Sequence, residues 1–216
     1  MPVLRKIVSG GQTGADRAGL DFAIEVGLAH GGYVPKGRKA EDGRIDEKYA
    51  LVELSGSSDP ERTRRNVWES DGTVILSLND KLSGGSALTL TYARHANKPV
   101  LHIHNSETGC DPIPQQVRRL KDFIDTNAIE VLNVAGPRES NEPGVYDFTL
   151  QNTPAVLAGR GIPTVTAAGL HPREWRRGVA FRALWFSSAV KRPATSRPHL
   201  RRDCEVSRLA LWNRIC

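Results

Sequence analysis

The chain has 216 residues, 39% of them hydrophobic and 25% charged, with a net charge of +6. That length allows a sizeable core without disulfide or metal staples, and no apolar run approaches the roughly 18–20 residues of a membrane span. The charge is uneven: residues 1–160 hold 19 Lys/Arg and 21 Asp/Glu, a net of −2, whereas residues 161–216 hold 11 and 3, a net of +8. The basic excess that would point to nucleic acid therefore belongs to the tail. Met1 to Lys6 reaches Gly10 too soon to hold a signal-peptide core. Cys110, Cys204 and Cys216 are odd in number and far apart, with no C-x-x-C pair, so a reducing, cytoplasmic setting is expected.

Residues 4–9 read as a strand followed by a Gly-rich turn. Leu20, Ala23, Ile24, Gly27 and Leu28 then share one helical face. A short strand at residues 32–34 leads into a polar loop, residues 35–46, and residues 49–54 are apolar enough for another strand. Asp59-Pro60-Glu61 predicts a helix start, with Asp59 as N-cap and Pro60 at the first helical position, running to about Ser70. Residues 73–78 form a continuous apolar β-rich run, the pattern of a strand covered on both faces. Ser86 is expected to cap a helix reaching His95. Residues 99–104 form the next strand. Ile113, Val117, Leu120 and Ile124 mark an amphipathic helix, and residues 129–134 a further strand.

Strands thus alternate with helices from residue 4 to about 135. That predicts an α/β fold with a doubly wound, mainly parallel sheet, whose ligands sit beyond the carboxyl ends of the strands. A ligand-binding domain over residues 1–160 and an irregular, Arg-rich tail over residues 161–216 are the expected units. The abrupt change in composition also raises a frameshifted or read-through end.

Two Gly-rich loops fall at the carboxyl edge. In the first, Ser9-Gly10-Gly11-Gln12-Thr13-Gly14-Ala15-Asp16, glycines let the backbone approach a ligand and turn N–H groups toward an anion, at a helix N-terminus that favours phosphate. No Lys-Ser/Thr pair follows Gly14, so it is not a Walker A loop. Asp16 would repel a bare phosphate, which leaves it to cap the helix, orient Gln12, or hold a ribose or metal ion. The second loop, Leu82-Ser83-Gly84-Gly85-Ser86-Ala87-Leu88-Thr89, repeats the arrangement, and the pair makes a phosphate cradle. Lys36 and Arg38, in a short basic loop, could clamp an anion or could simply face water. Ser70-Asp71-Gly72 is expected at the opposite edge. His102 and His104 share a strand face without an evident third metal ligand, and no catalytic triad or H-E-x-x-H motif is present.

Together with Asn66-Val67-Trp68-Glu69-Ser70-Asp71-Gly72-Thr73, Lys98-Pro99 and Asn133-Val134-Ala135-Gly136-Pro137-Arg138-Glu139-Ser140, these loops resemble the molybdenum carrier family, the circularly permuted YpsA-like branch of the SLOG superfamily. The resemblance covers about residues 4–148. It implies a Rossmann-like fold and binding of a nucleotide-like ligand or phosphorylated pterin, with molybdenum cofactor (molybdopterin) among the candidates, in a homo-oligomer. Carried onto this chain, it implies phosphate-facing residues at Gly10, Gly11, Gln12, Thr13, Gly14, Gly84, Gly85, Ser86 and Thr89, with Lys36, Arg38 and residues 133–140 as second-rank candidates; Asp16 joins the binding candidates on the reading of its loop. Related LOG enzymes carry a Glu after their Gly-Gly-x-Gly-Thr motif; the comparable stretch here, residues 84–89, has none. Two other readings stand beside the carrier: a nucleotide-processing hydrolase using Asp16, and a nucleic-acid binder using the tail.

Overall fold

A computed structural model describes residues 4–56, 58–105 and 115–153. Cys110, Ile113 and the whole tail, with Cys204 and Cys216, lie outside the described residues. The strands are β1 (Lys6–Val8), β2 (Ala29–Val34), β3 (Lys39–Ala40), β4 (Gly43–Arg44), β5 (Leu51–Glu53), β6 (Gly72–Ser77), β7 (Val100–His104) and β8 (Val131–Ala135). The helices are α1 (Ala15–Glu25), α2 (Asp59–Trp68), α3 (Gly84–His95), α4 (Gln115–Thr126) and α5 (Val145–Asn152). Six strands form one sheet in the order β5-β2-β1-β8-β6-β7, with every pairing parallel. This is a Rossmann-like α/β fold.

Helix α5 packs on both α1 and α4, and α2 packs on α3. With both faces of the sheet covered, its central strands must be apolar on both sides. All six residues of β6 are buried accordingly. The main core gathers Ile7, Phe22, Val74, Leu76, Ile103, Leu120, Leu132 and Val134, and a smaller cluster of Leu20, Val34, Ile45, Tyr49 and Leu51 fills the space beneath β2 and β5.

The polar loop over residues 35–46 is a small antiparallel hairpin, β3–β4. Two expected caps move. Ser58, not Asp59, occupies the N-cap of α2, so Asp59 and Pro60 are its first helical residues. Ser83, not Ser86, occupies the N-cap of α3, because the helix opens on Gly84; Ser86 falls in the first turn and is buried. Ser70-Asp71-Gly72 does lie at the amino edge of the sheet, where the Asp71 carboxylate accepts the Glu130 and Val131 amides at 3.0 and 2.7 Å.

Strand order determines where a ligand can sit. A doubly wound sheet has its crevice where the connections diverge to opposite faces. Here β6 continues outward through α3, while β8 is followed by α5 on the other face. The divergence therefore lies between β6 and β8. The last strand fills the place that a first strand holds in an unpermuted sheet. The connections after β6 and β8 flank the switch point, and the first glycine loop, after β1, is one strand removed from it.

Candidate functional site

A cavity of about 520 Å³ opens at the carboxyl edge of β1, β8 and β6. Gly10, Gln12 and Asp16 line it from the first glycine loop; Ser83, Gly85, Ser86 and Thr89 line it from the second. Asp59, Arg62, Thr63 and Asn66 enter from α2, while Asn133, Gly136, Pro137, Arg138 and Glu142 enter from β8 and its connection to α5.

The two glycine loops are not equivalent. In the first, several amides already have protein acceptors. Gln12 N–H donates to Asp16 Oδ2 at 3.4 Å, Thr13 N–H to Gln12 Oε1 at 3.1 Å, and Ala15 N–H to the Pro137 carbonyl at 3.3 Å. Burial pushes the Asp16 carboxyl above the usual carboxylate range, while Arg62, Arg17 and the N–H groups of Gln12 and Gly136 pull it down. The β3–β4 hairpin fastens this loop from outside. Glu41 N–H donates to Gln12 Oε1 at 2.9 Å, the Glu41 carboxylate accepts the Thr13 hydroxyl and, at 2.5 Å, that of Ser140, and Arg17 joins the Gly11 carbonyl to Asp42. Burial would raise Glu41, but these hydroxyl bonds outweigh it and hold the carboxyl below its ordinary value.

The second loop is open. The first N–H groups of a helix have no intrahelical acceptor and carry partial positive charge. No side chain caps α3, and Ala87, which donates to the Ser83 carbonyl at 3.2 Å, is the first amide of that turn with a protein acceptor. Among the described residues the amides of Gly84, Gly85 and Ser86 have no acceptor, and Gly85 and Ser86 line the cavity. A Cβ on Gly85 would meet nothing within 4 Å. The loop is held in place by Glu142, whose Oε2 accepts the Leu78 amide at 2.5 Å.

Arg62 completes the cavity wall. It is 9% exposed, its Nη1 donates to the Gly10 carbonyl at 3.2 Å, and its Nε has no hydrogen-bond partner, with Asp59 Oδ1 4.0 Å away. The Gly136 backbone passes so close to its neighbours that a Cβ would lie 2.2 Å from the Leu76 carbonyl oxygen. That approach brings the β8 end between the loops. Asn133 donates to Thr73 Oγ1 at 3.2 Å within the sheet.

Of the residues singled out from sequence, Gly10, Gln12, Asp16, Gly85, Ser86 and Thr89 meet at this cavity. Gly11 faces the smaller core, 2.7 Å from Leu51 Cδ1 at its would-be Cβ, and Gly14 faces the Pro137 carbonyl and the Glu139 amide. Thr13 is engaged with Glu41 and Glu139. Lys36 is exposed outside the cavity. Gly84 supplies the φ of +50° at which α3 begins. Arg38 is not an anion clamp: it is buried, and its guanidinium donates to the carbonyls of Ile45, Asp46, Tyr49 and Leu51 at 2.8–3.1 Å. His102 pairs with Ser77 Oγ at 2.7 Å; burial, with the charges of His104 and Arg119, pushes its pKa down. Among the described residues no three His, Cys, Asp or Glu side chains converge on a metal position.

Arg62 is the residue that sequence reasoning missed. Its helix, DPERTRRNVW, reads as a charged, solvated surface. The available signal was spacing: Arg62 and Asn66, four apart, share the buried face with Thr63 and Val67.

This fold and crevice define a Rossmann-like protein with a cavity at its switch point. The chain belongs to the circularly permutated YpsA SLOG family, whose model matches residues 7–157. It is similar to the crystal structure of the "putative molybdenum carrier protein" of Syntrophus aciditrophicus SB, with 44% identity and a TM-score of 0.65, over 73% of this chain and 97% of that one. The chain matches no curated protein.

Proposed function

We propose that the chain binds a phosphorylated pterin or nucleotide-like molecule in the switch-point crevice and carries it without chemistry. The observation that supports this most directly is the α3 N-terminus, whose Gly85 and Ser86, with unfilled amides, line the same cavity as the buried Arg62. Such an end favours phosphate through aligned N–H groups and the helix dipole. The name of the similar structure makes molybdenum cofactor the leading cargo. The cavity's donors and acceptors suit the phosphate and polar ring of such a molecule. Mass spectrometry of what co-purifies, with elemental analysis for molybdenum, tests this. A protein that is always empty and has no affinity for phosphorylated pterins or nucleotides would sink it.

A second reading has one observation in its favour. Asp16 is a buried carboxyl at the cavity whose burial favours the protonated form, as a general acid requires. A hydrolase of that kind would turn over AMP-like nucleotides and lose turnover in Asp16→Asn. Binding with no turnover by the wild type separates the two.

A further inference from the structure

We propose that Gln12 is the specificity-determining donor of the crevice, reading an exocyclic ring carbonyl and so favouring an oxo ring over its amino counterpart. This rests on the reading of the crevice as a site for a phosphorylated ring compound and says how the ring is told apart.

A carboxamide has an oxygen that accepts two hydrogen bonds and a nitrogen that donates two. In Gln12 the oxygen is full: it accepts the Thr13 amide at 3.1 Å and the Glu41 amide at 2.9 Å. A backbone N–H can only donate, so these bonds fix which end of the carboxamide is oxygen. The nitrogen is left over, and Gln12 Nε2 donates to no acceptor among the described residues. The buried side-chain atoms without a partner there are Arg62 Nε and Thr149 Oγ1, so Gln12 Nε2 is not sealed in but open. Gln12 is only 6% exposed, and the open space it borders is the cavity. A side chain so buried and so held presents a fixed donor. Such a donor discriminates, because a ligand without the matching acceptor leaves it unpaired.

Placement selects the acceptor. Gln12 follows β1 and the α3 terminus follows β6, with β8 between them. Two inter-strand spacings, about 10 Å, separate those strand ends. With its phosphate at α3, a mononucleotide or a phosphorylated pterin turns the far edge of its ring toward Gln12, and the exocyclic oxygen stands on that edge. Carboxyl groups flank the donor: Asp16 accepts the Gln12 amide at 3.4 Å, and Glu41 accepts the Thr13 hydroxyl. That company favours a neutral acceptor over an anionic one.

The test is calorimetric titration of the full chain with two pairs: IMP and AMP; and 6-hydroxymethylpterin monophosphate and its 4-amino analogue. In a pair that binds, the oxo compound is expected to bind about tenfold or more tighter than the amino one. Gln12→Glu keeps an oxygen for the Thr13 and Glu41 amides and turns the free donor into an acceptor, so the preference should reverse. Both members of a pair carry the same phosphate, so the added charge cancels from the ratio. If that variant folds poorly, Gln12→Met, uncharged and of similar length, should flatten the wild-type preference to within about threefold. A ratio that neither variant changes overturns the assignment, with an equal loss for both rings placing the donor on the phosphate instead. A wild type that binds both rings equally overturns it too, while leaving the crevice a phosphate site. If no compound of either pair binds, the reading of the crevice falls with it.

Discussion

The carboxylate of Asp16 accepts the Gln12 amide at 3.4 Å across the turn that opens α1, so this chain supplies its own acid where a Rossmann glycine loop usually receives an anion. The arrangement has a pH signature. Burial raises the folded pKa of Asp16 above its ordinary 3.8, so the native state holds this proton to higher pH than the unfolded chain. The stabilising contribution is complete below the unfolded value and is lost as pH rises through the folded one. Asp16→Asn, which cannot ionise but still accepts the amides, should therefore melt above the wild type at pH 8. The difference should amount to about 2–4 °C per kcal/mol relieved and should fade toward pH 4. A difference in Tm that does not change with pH would show that ionisation of Asp16 carries no such cost.

The two glycine loops call for opposite outcomes from the same substitution. Gly85→Val places its side chain in open space, so unfolding should stay within about 1 kcal/mol of wild type while a phosphorylated ligand loses about tenfold or more in affinity. Gly11→Val meets Leu51 and Ile45 at a φ of +68°, where a β-branched residue is strained. It should lower stability by several kcal/mol, so its loss of binding would say nothing about contact. Denaturant melts paired with titrations distinguish the two. Intact binding in a folded Gly85→Val protein would exclude α3 as the phosphate end.

Arg38 is placed by the structure in a role the sequence could not reveal. Its guanidinium is the donor to four carbonyls of the segment from Ile45 to Leu51. Arg38→Ala leaves buried carbonyls without donors and should cost about 3 kcal/mol or more. Arg38→Lys, lacking the planar fork, should recover only part of that. Ligand affinity, measured well below the melting temperature, should change by less than about threefold. A large affinity loss in a stable Arg38→Lys protein would return Arg38 to the binding surface.

Local structure was legible because local physics writes it. The apolar run ending at Ser77 and the face shared by Leu20 and Ala23 follow from strand and helix periodicity. Pairing order is different. Nothing in the residues of β8 says that it enters between β1 and β6, and that insertion brings Asn133 and residues 135–138 of the second-rank segment to the wall of the crevice. Which loop amides stay free was equally out of reach. Ala15 is satisfied by Pro137, more than a hundred residues away, and Thr13 by its neighbour Gln12. A glycine loop signals that backbone can approach a ligand, not that its donors are unfilled.

Glu142 tests the open loop without touching the phosphate end. Its carboxylate fixes the Leu78 amide at 2.5 Å, tying the β6–α3 connection to the segment after β8. Without that tie the Ser83–Ser86 turn is no longer pre-organised, and binding must include the entropy of ordering it. Glu142→Ala should weaken a phosphomonoester by about three- to tenfold, with thermal stability lowered by about 1 kcal/mol. Glu142→Gln can still accept the amide through its carboxamide oxygen and should restore most of the affinity. Removing a wall anion would by itself strengthen phosphate binding in both variants, whereas lost positioning weakens binding in Glu142→Ala only. Tighter binding in both would mean that the charge of Glu142, not its hydrogen bond, governs the site.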